Sequence, residues 1–280
     1  MMNRRFFLAA TATLILPESV VAAESRLAFK GAIAEGGLVI GSSAPGTTIR
    51  LDGKALRVSR DGSFAFGFAY NQKKAVIIEA HYPDGMTEKR EVEPAIRMYN
   101  IQSITGLPEP LVTPPAEELE RIKREADVIN KARSRDTDAT WFTEGFDWPT
   151  AGIMSSTYGS QRILNGEARA PHLAVDIAAP TGTPIHAAAE GIVSLTGEYY
   201  FNGGFTIIDH GHGVSTNYVH QSKRLVKVGD KITRGQVIGE VGATGRATGP
   251  NLHWGMNWFQ VNLDPSLVAP TPTPPEGPAK

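Results

Sequence analysis

Three short segments concentrate the side chains able to bind a metal or move a proton: Pro171-His172-Leu173-Ala174-Val175-Asp176, Tyr218-Val219-His220 and Gly249-Pro250-Asn251-Leu252-His253-Trp254. The chain has no cysteine, which removes thiolate ligands, thiol nucleophiles and disulfides. A bound metal must therefore rest on His, Asp or Glu. Two imidazoles and a carboxylate make a reasonable zinc set, leaving a fourth position for a water whose pKa zinc lowers toward neutrality. In a strand, Asn251 and His253 point to one face, roughly 7 Å apart along the chain, so one can hold the metal while the other reaches a substrate. His172 and Asp176 would lie roughly 13 Å apart in a straight strand, too far to share an ion. The chain must fold back near His172, and Pro171 is consistent with such a bend. Taken alone, an H-x-x-x-D spacing arises often by chance.

Taken together, the segments resemble the lysostaphin or LytM-like zinc endopeptidases over the last 120 residues or so. The match extends beyond the histidines: Ala178 to Pro184, Ile208-Asp209-His210-Gly211, Val228-Gly229-Asp230-Lys231, Arg234 to Gly239 and Gly245 to Pro250 follow in the family's order. The resemblance implies a mostly antiparallel β fold with a groove, one zinc ion, and cleavage of peptidoglycan cross-bridges. It implies His172, Asp176 and His253 as zinc ligands and His220 as the histidine that polarises water or stabilises the tetrahedral intermediate. Arg162, after Tyr158-Gly159-Ser160-Gln161, lies in a segment similar to the family's entry to the groove and is assigned to substrate contact.

Three departures fall at the site. Asn251 stands where the family's H-x-H motif has a catalytic histidine, Ala174 where its H-x-G-x-D has glycine, and Gln221 where leucine is usual. The metal set survives all three. Asn can donate a hydrogen bond to an oxyanion but cannot shuttle a proton at neutral pH. Two readings therefore stay open: a zinc endopeptidase weakened at Asn251, or an impaired relative that binds peptidoglycan and regulates a wall amidase or a division partner. A third, a β-barrel binding domain, rests on the Val226 to Val241 turn region, which looks like that of lipoyl or biotinyl carriers. No lysine sits in a recognisable attachment motif, so it ranks last. His210, His212 and His186 are read as structural, and Trp254, Trp258 and Phe259 as packing beneath the last motif rather than walling a groove.

The elements that must position these residues read as mainly β. Leu38-Val39-Ile40, Thr48 to Leu51, Ser63 to Phe66 and Val76-Ile77-Ile78 are strand-like, separated by the turn dipeptides Asp52-Gly53, Asp61-Gly62 and Asp84-Gly85. They predict a small immunoglobulin-like β-sandwich over 26–105, serving as spacer or binding module, with His81 a strand residue. A Pro-rich linker and helix follow over 106–140. Thr113 is its expected cap, Pro114 and Pro115 suit its first turn, and Leu119, Ile122, Ala126 and Ile129 form one apolar stripe expected to pack against the body of the protein. The C-terminal antiparallel β domain of lysostaphin/LytM type is expected over 145–268, ahead of a disordered Pro-rich tail at 269–280.

Residues 1–23 read as a signal peptide: Arg4 and Arg5, an apolar run from Phe6 to Leu16, and Val21-Ala22-Ala23 for cleavage. Arg4-Arg5-Phe6-Phe7-Leu8 also fits the twin-arginine pattern, so Sec and twin-arginine export both lead to the periplasm. The apolar run is too short for a stable span, so no membrane segment is expected in the mature chain. A formal net charge of -1 and the absence of a long basic stripe argue against a nucleic-acid partner.

Overall fold

The computed structural model describes residues 25–104, 114–164, 167–168 and 170–270; the expected signal segment, Thr113 and most of the Pro-rich tail lie outside them. Alternating apolar residues and glycine turns build seven N-terminal strands: β1 (Ala28–Gly31), β2 (Leu38–Ser42), β3 (Thr48–Leu51), β4 (Lys54–Leu56), β5 (Ser63–Gly67), β6 (Val76–His81) and β7 (Thr87–Val92). They form a β1-β2-β5 sheet and a β4-β3-β6-β7 sheet. Val39, Phe64 and Phe66 of the first pack with Ile49, Ile78, Ala80 and Val92 of the second in one buried cluster. The β3–β4 hairpin closes through Asp52 and Gly53, both at positive φ (47° and 77°), the pairing expected of an Asp-Gly turn.

Strand β8 (Ile101–Ile104) leaves the sandwich, and helix α1 (Ala116–Arg133) follows. The helix departs from the sequence expectation at both its start and its buried face. Pro115 is the N-cap and contributes no side-chain bond, so the prolines precede the first turn, where Glu117 and Glu118 face the positive end of the helix dipole. Leu119 and Ala126 are exposed, while Ile129 and the buried Ala132 pack on the domain behind. The inward stripe is shifted because the helix lies over the sheet only near its C-terminal end.

Among the described residues thirteen further strands follow: β9 (Ile153–Ser156), β10 (Gln161–Leu164), β11 (Glu167–Ala168), β12 (Val175–Ala178), β13 (Pro184–His186), β14 (Gly191–Tyr199) and β15 (Gly203–Gly211), then β16 (Val214–Gln221), β17 (Lys223–Arg224), β18 (Lys231–Ile232), β19 (Val237–Glu240), β20 (Asn251–Trp258) and β21 (Val261–Leu263). The main sheet runs β18-β14-β15-β16-β20-β12-β9, with β21 paired to β20. Each of its pairings is antiparallel. A small β13-β19-β17 sheet completes the domain's β structure beside a third sheet, β11-β10-β8.

The two faces of the main sheet differ. Val175, Tyr218, Leu252, Trp254 and Met256 point into the larger core, where Phe142, Phe146 and Ile185 meet them. Val219 points the other way and packs with Leu195, Phe205 and Ile207 under Ala132 and Ile129 of α1. Trp254 is fully buried against Trp148, and the half-buried Trp258 bridges both large cores, so the packing reading holds for these two residues.

The sandwich is joined to the larger domain by shared core and by charge. Leu38 and Ala65 belong to the C-terminal core. Arg97 Nη2 pairs with the fully buried Asp264 at 2.7 Å, and its Nη1 donates to the Glu35 carbonyl at 3.0 Å. Arg97→Ala strands that carboxylate, and a loss of about 2–3 kcal/mol is expected, read as a lowered urea unfolding midpoint.

Candidate metal centre

The Asp176 and His253 side chains meet because β12 and β20 pair in register, with Asp176 opposite His253 and Val175 opposite Trp254. Directly opposed residues share a face, so burying Trp254 commits His253 and Asp176 to the other side. His253 Nδ1 lies 2.9 Å from Asp176 Oδ1. His172 precedes β12 in an irregular segment, and its Nε2 reaches the same Oδ1 at 3.1 Å and His253 Nδ1 at 2.9 Å. The fold-back required by the H-x-x-x-D spacing is therefore present. Among the described residues these three form the one cluster of His, Asp and Glu whose donor atoms converge, all within 4.8 Å.

Surrounding groups fix the ligands. Ser156 Oγ lies 2.8 Å from His172 Nδ1, which directs Nε2 toward the cluster. The main chain holds the same residue, with the His172 N–H donating to Ser160 O at 2.8 Å and the Gly159 N–H to His172 O at 2.6 Å. Burial raises the Asp176 pKa, but hydrogen bonds from His172 and His253 outweigh it and hold the carboxyl well below the usual carboxylate range. The donor set is thus two imidazoles and one ionised carboxylate, the composition that zinc accepts with a position left open.

His220 joins the site by an irregularity. Regular alternation after Tyr218 and Val219 would turn it into the core with Tyr218. Instead its φ is 66°, and its ring centroid lies 6.0 Å from that of His253. A non-glycine residue at positive φ is uncommon and is held there by its surroundings. The His220 N–H donates to Asn202 O at 2.9 Å, and Nδ1 lies 2.7 Å from the Thr244 carbonyl. A carbonyl can only accept, so Nδ1 carries the proton and Nε2 is the basic nitrogen. Helix α1 reinforces this loop, since Glu125 accepts from the Tyr200 N–H at 2.8 Å, two residues before Asn202.

Asn251 opens β20 on the same face as His253, as the N-x-H alternation predicts. Its Nδ2 donates to Gly249 O at 2.8 Å, while its Oδ1 is buried without a hydrogen-bond partner. Arg162 lies on β10, opposite Gln102 of β8 in a parallel pair. Gln221 is fully buried, and its Oε1 accepts from Thr206 Oγ1 at 2.9 Å; Ala174 is likewise buried.

The other histidines lie outside the cluster. His210 is fully buried, with Nδ1 2.6 Å from Glu190 O and Nε2 2.7 Å from Thr216 Oγ1. His212 packs on the Phe142 ring, and His186 Nδ1 lies 3.3 Å from Pro149 O. Ser156 and Thr244, which orient the two key imidazoles, carry no sequence signal beyond the glycines around Thr244.

A family model described as peptidase family M23 matches residues 170–265. A solved Pseudomonas aeruginosa protein assigned to peptidase M23 is 30% identical, covers 84% of this chain and 93% of its own, and superposes with a TM-score of 0.65. The peptidoglycan DD-endopeptidase ShyA of Vibrio cholerae is 43% identical over 102 residues, 36% of this chain and 24% of that protein. The DD-carboxypeptidase/endopeptidase Mpg of Neisseria meningitidis is 41% identical over 102 residues, again 36% of this chain and 24% of its own length. The chain thus spans about a quarter of these curated relatives.

His253→Ala and Asp176→Asn are each expected to abolish stoichiometric uptake of a divalent metal ion, measured by elemental analysis after dialysis. Burial pushes the His210 pKa down to about 4, so the folded protein keeps it neutral while the unfolded chain, with an ordinary value near 6.5, takes up a proton. Its contribution to stability is present above about pH 6.5 and is lost progressively as pH falls toward 4. His210→Gln should flatten this part of the stability-versus-pH curve, followed by urea unfolding at each pH.

Proposed function

Because the chain belongs to peptidase family M23, we propose that it is a periplasmic zinc metalloendopeptidase that hydrolyses peptide cross-links of bacterial peptidoglycan. The observation that carries this reading is the convergence of His172, Asp176 and His253 beside a histidine whose tautomer leaves Nε2 basic. When bound, zinc supplies a Lewis acid for the scissile carbonyl and lowers the pKa of an attacking water. His172, Asp176 and His253 would hold it.

His220 accepts the proton of the attacking water at Nε2, with Nδ1 fixed by the Thr244 carbonyl so that the ring need not reorient. Asn251 cannot share that work. Its amide donor is already directed at Gly249 O and its Oδ1 is enclosed by protein, so Asn251 shapes the site beside His253 without supplying a proton-transfer group. Arg162, on β10 between β11 and β8, would contact the substrate's carboxylates.

One specific observation favours a second reading. With a single imidazole available for proton transfer, the chain could instead be a metal-binding scaffold that grips peptidoglycan and regulates a wall amidase or division partner. The two separate on sacculi of a Gram-negative wall. Chelator-sensitive release of monomers from cross-linked dimers is expected from the unaltered protein. His220→Ala should lower the rate on the order of a hundredfold or more, and Asn251→His should raise it on the order of tenfold. No release except after Asn251→His would establish the scaffold instead.

A further inference from the structure

We infer that Tyr99, on the segment that leaves the N-terminal sandwich, is a positioning residue for the metal ligand His172, so that the sandwich braces the metal site rather than acting as a spacer. The inference rests on the reading of His172, Asp176 and His253 as a zinc site. It begins at Gly159, whose φ is 82° and whose α-carbon faces the Tyr99 ring so closely that a methyl group there would overlap it. Glycine therefore serves twice, accepting the left-handed backbone and admitting the ring. The two main-chain hydrogen bonds that hold His172 come from this turn, one at Gly159 and one at Ser160.

The ring is itself fixed from the sandwich side. Tyr99 packs on Tyr70 with centroids 4.8 Å apart and on Tyr158 at 6.3 Å. Arg97 lies over both Tyr99 and Tyr158 while bound to Asp264, and the Tyr158 hydroxyl donates to Asn262 O at 2.9 Å. One residue further on, the Gln161 N–H donates to Asn100 O at 2.8 Å, and β8 continues alongside β10 in parallel from Ile101 opposite Gln161. The turn carrying Gly159 and Ser160 is thus clamped between His172 on one side and residues 99–101 on the other. Removing the ring leaves a gap on the far side of that turn, and the turn's hold on His172 loosens. Loss of groups that orient a ligand typically costs 10–100-fold in metal affinity.

The test is zinc affinity of the full chain, measured by competition with a chromophoric chelator. Tyr99→Ala is expected to weaken zinc binding about tenfold, whereas Tyr99→Phe, which keeps the ring, stays within about twofold. Phe64→Leu, a packing change in the sandwich core far from the turn, is expected to lower the unfolding midpoint and leave zinc affinity unaltered. Should Tyr99→Ala fail to fold, Tyr99→Leu decides, since it fills much of the interface without laying a flat ring on Gly159. Unchanged affinity in the folded variant overturns the brace while leaving the metal site intact. Absence of zinc binding by the unaltered protein overturns the metal reading, and the brace with it. Equal loss in Phe64→Leu would show that general destabilisation is responsible, which also overturns it.

Discussion

The register between β12 and β20 is the constraint on which the rest of the site depends. Trp254 is fully buried and sits opposite Val175, so hydrophobic burial sets which face of each strand points inward. Once that is set, Asp176 and His253 have no choice but to stand side by side on the other face. A slip of one residue would bury two ionisable groups and expose an indole. The energy that places the two metal-binding side chains is therefore the burial of their neighbours, and the polar cluster itself contributes little to choosing the geometry.

His172 and His220 reach the same place by other means. His172 is not on a strand; it is held by main-chain bonds to Gly159 and Ser160 and by the Ser156 hydroxyl. His220 is on a strand but violates its alternation, kept at φ 66° by Asn202, Thr244 and, through Tyr200, by Glu125 of α1. Regular structure thus supplies two of the four groups and irregular structure the other two. The irregular pair draws support from outside the main sheet, from the segment after the sandwich and from the helix.

This division explains what could be read from the residues alone. The ligand set, the fold-back at His172 and the shared face of Asn251 and His253 follow from chemistry and strand period, both local in sequence. Most N-terminal strands and their Asp-Gly turns were legible for the same reason. The exposed Leu119 and Ala126 were misread because a helical stripe shows that a face is apolar, not how much of its length another element covers. The parallel pairing of β8 with β10 left no trace, since each strand is short and its partner lies some sixty residues away. The positive φ of His220 was hidden too, because backbone strain is imposed by tertiary contacts and not by the residue's own preferences.

The three converging donors also have a consequence for when the site can come into being. His172 and Asp176 are four residues apart, but His253 follows 77 residues after Asp176, across four intervening strands of the main sheet. Closing so long a loop makes the cluster a late event in folding. A chain still short of β20 offers a metal two weakly organised donors, whereas the finished sheet offers three at once. Metal capture is thereby tied to completion of the fold, which guards the unfinished chain against holding an ion in the wrong place.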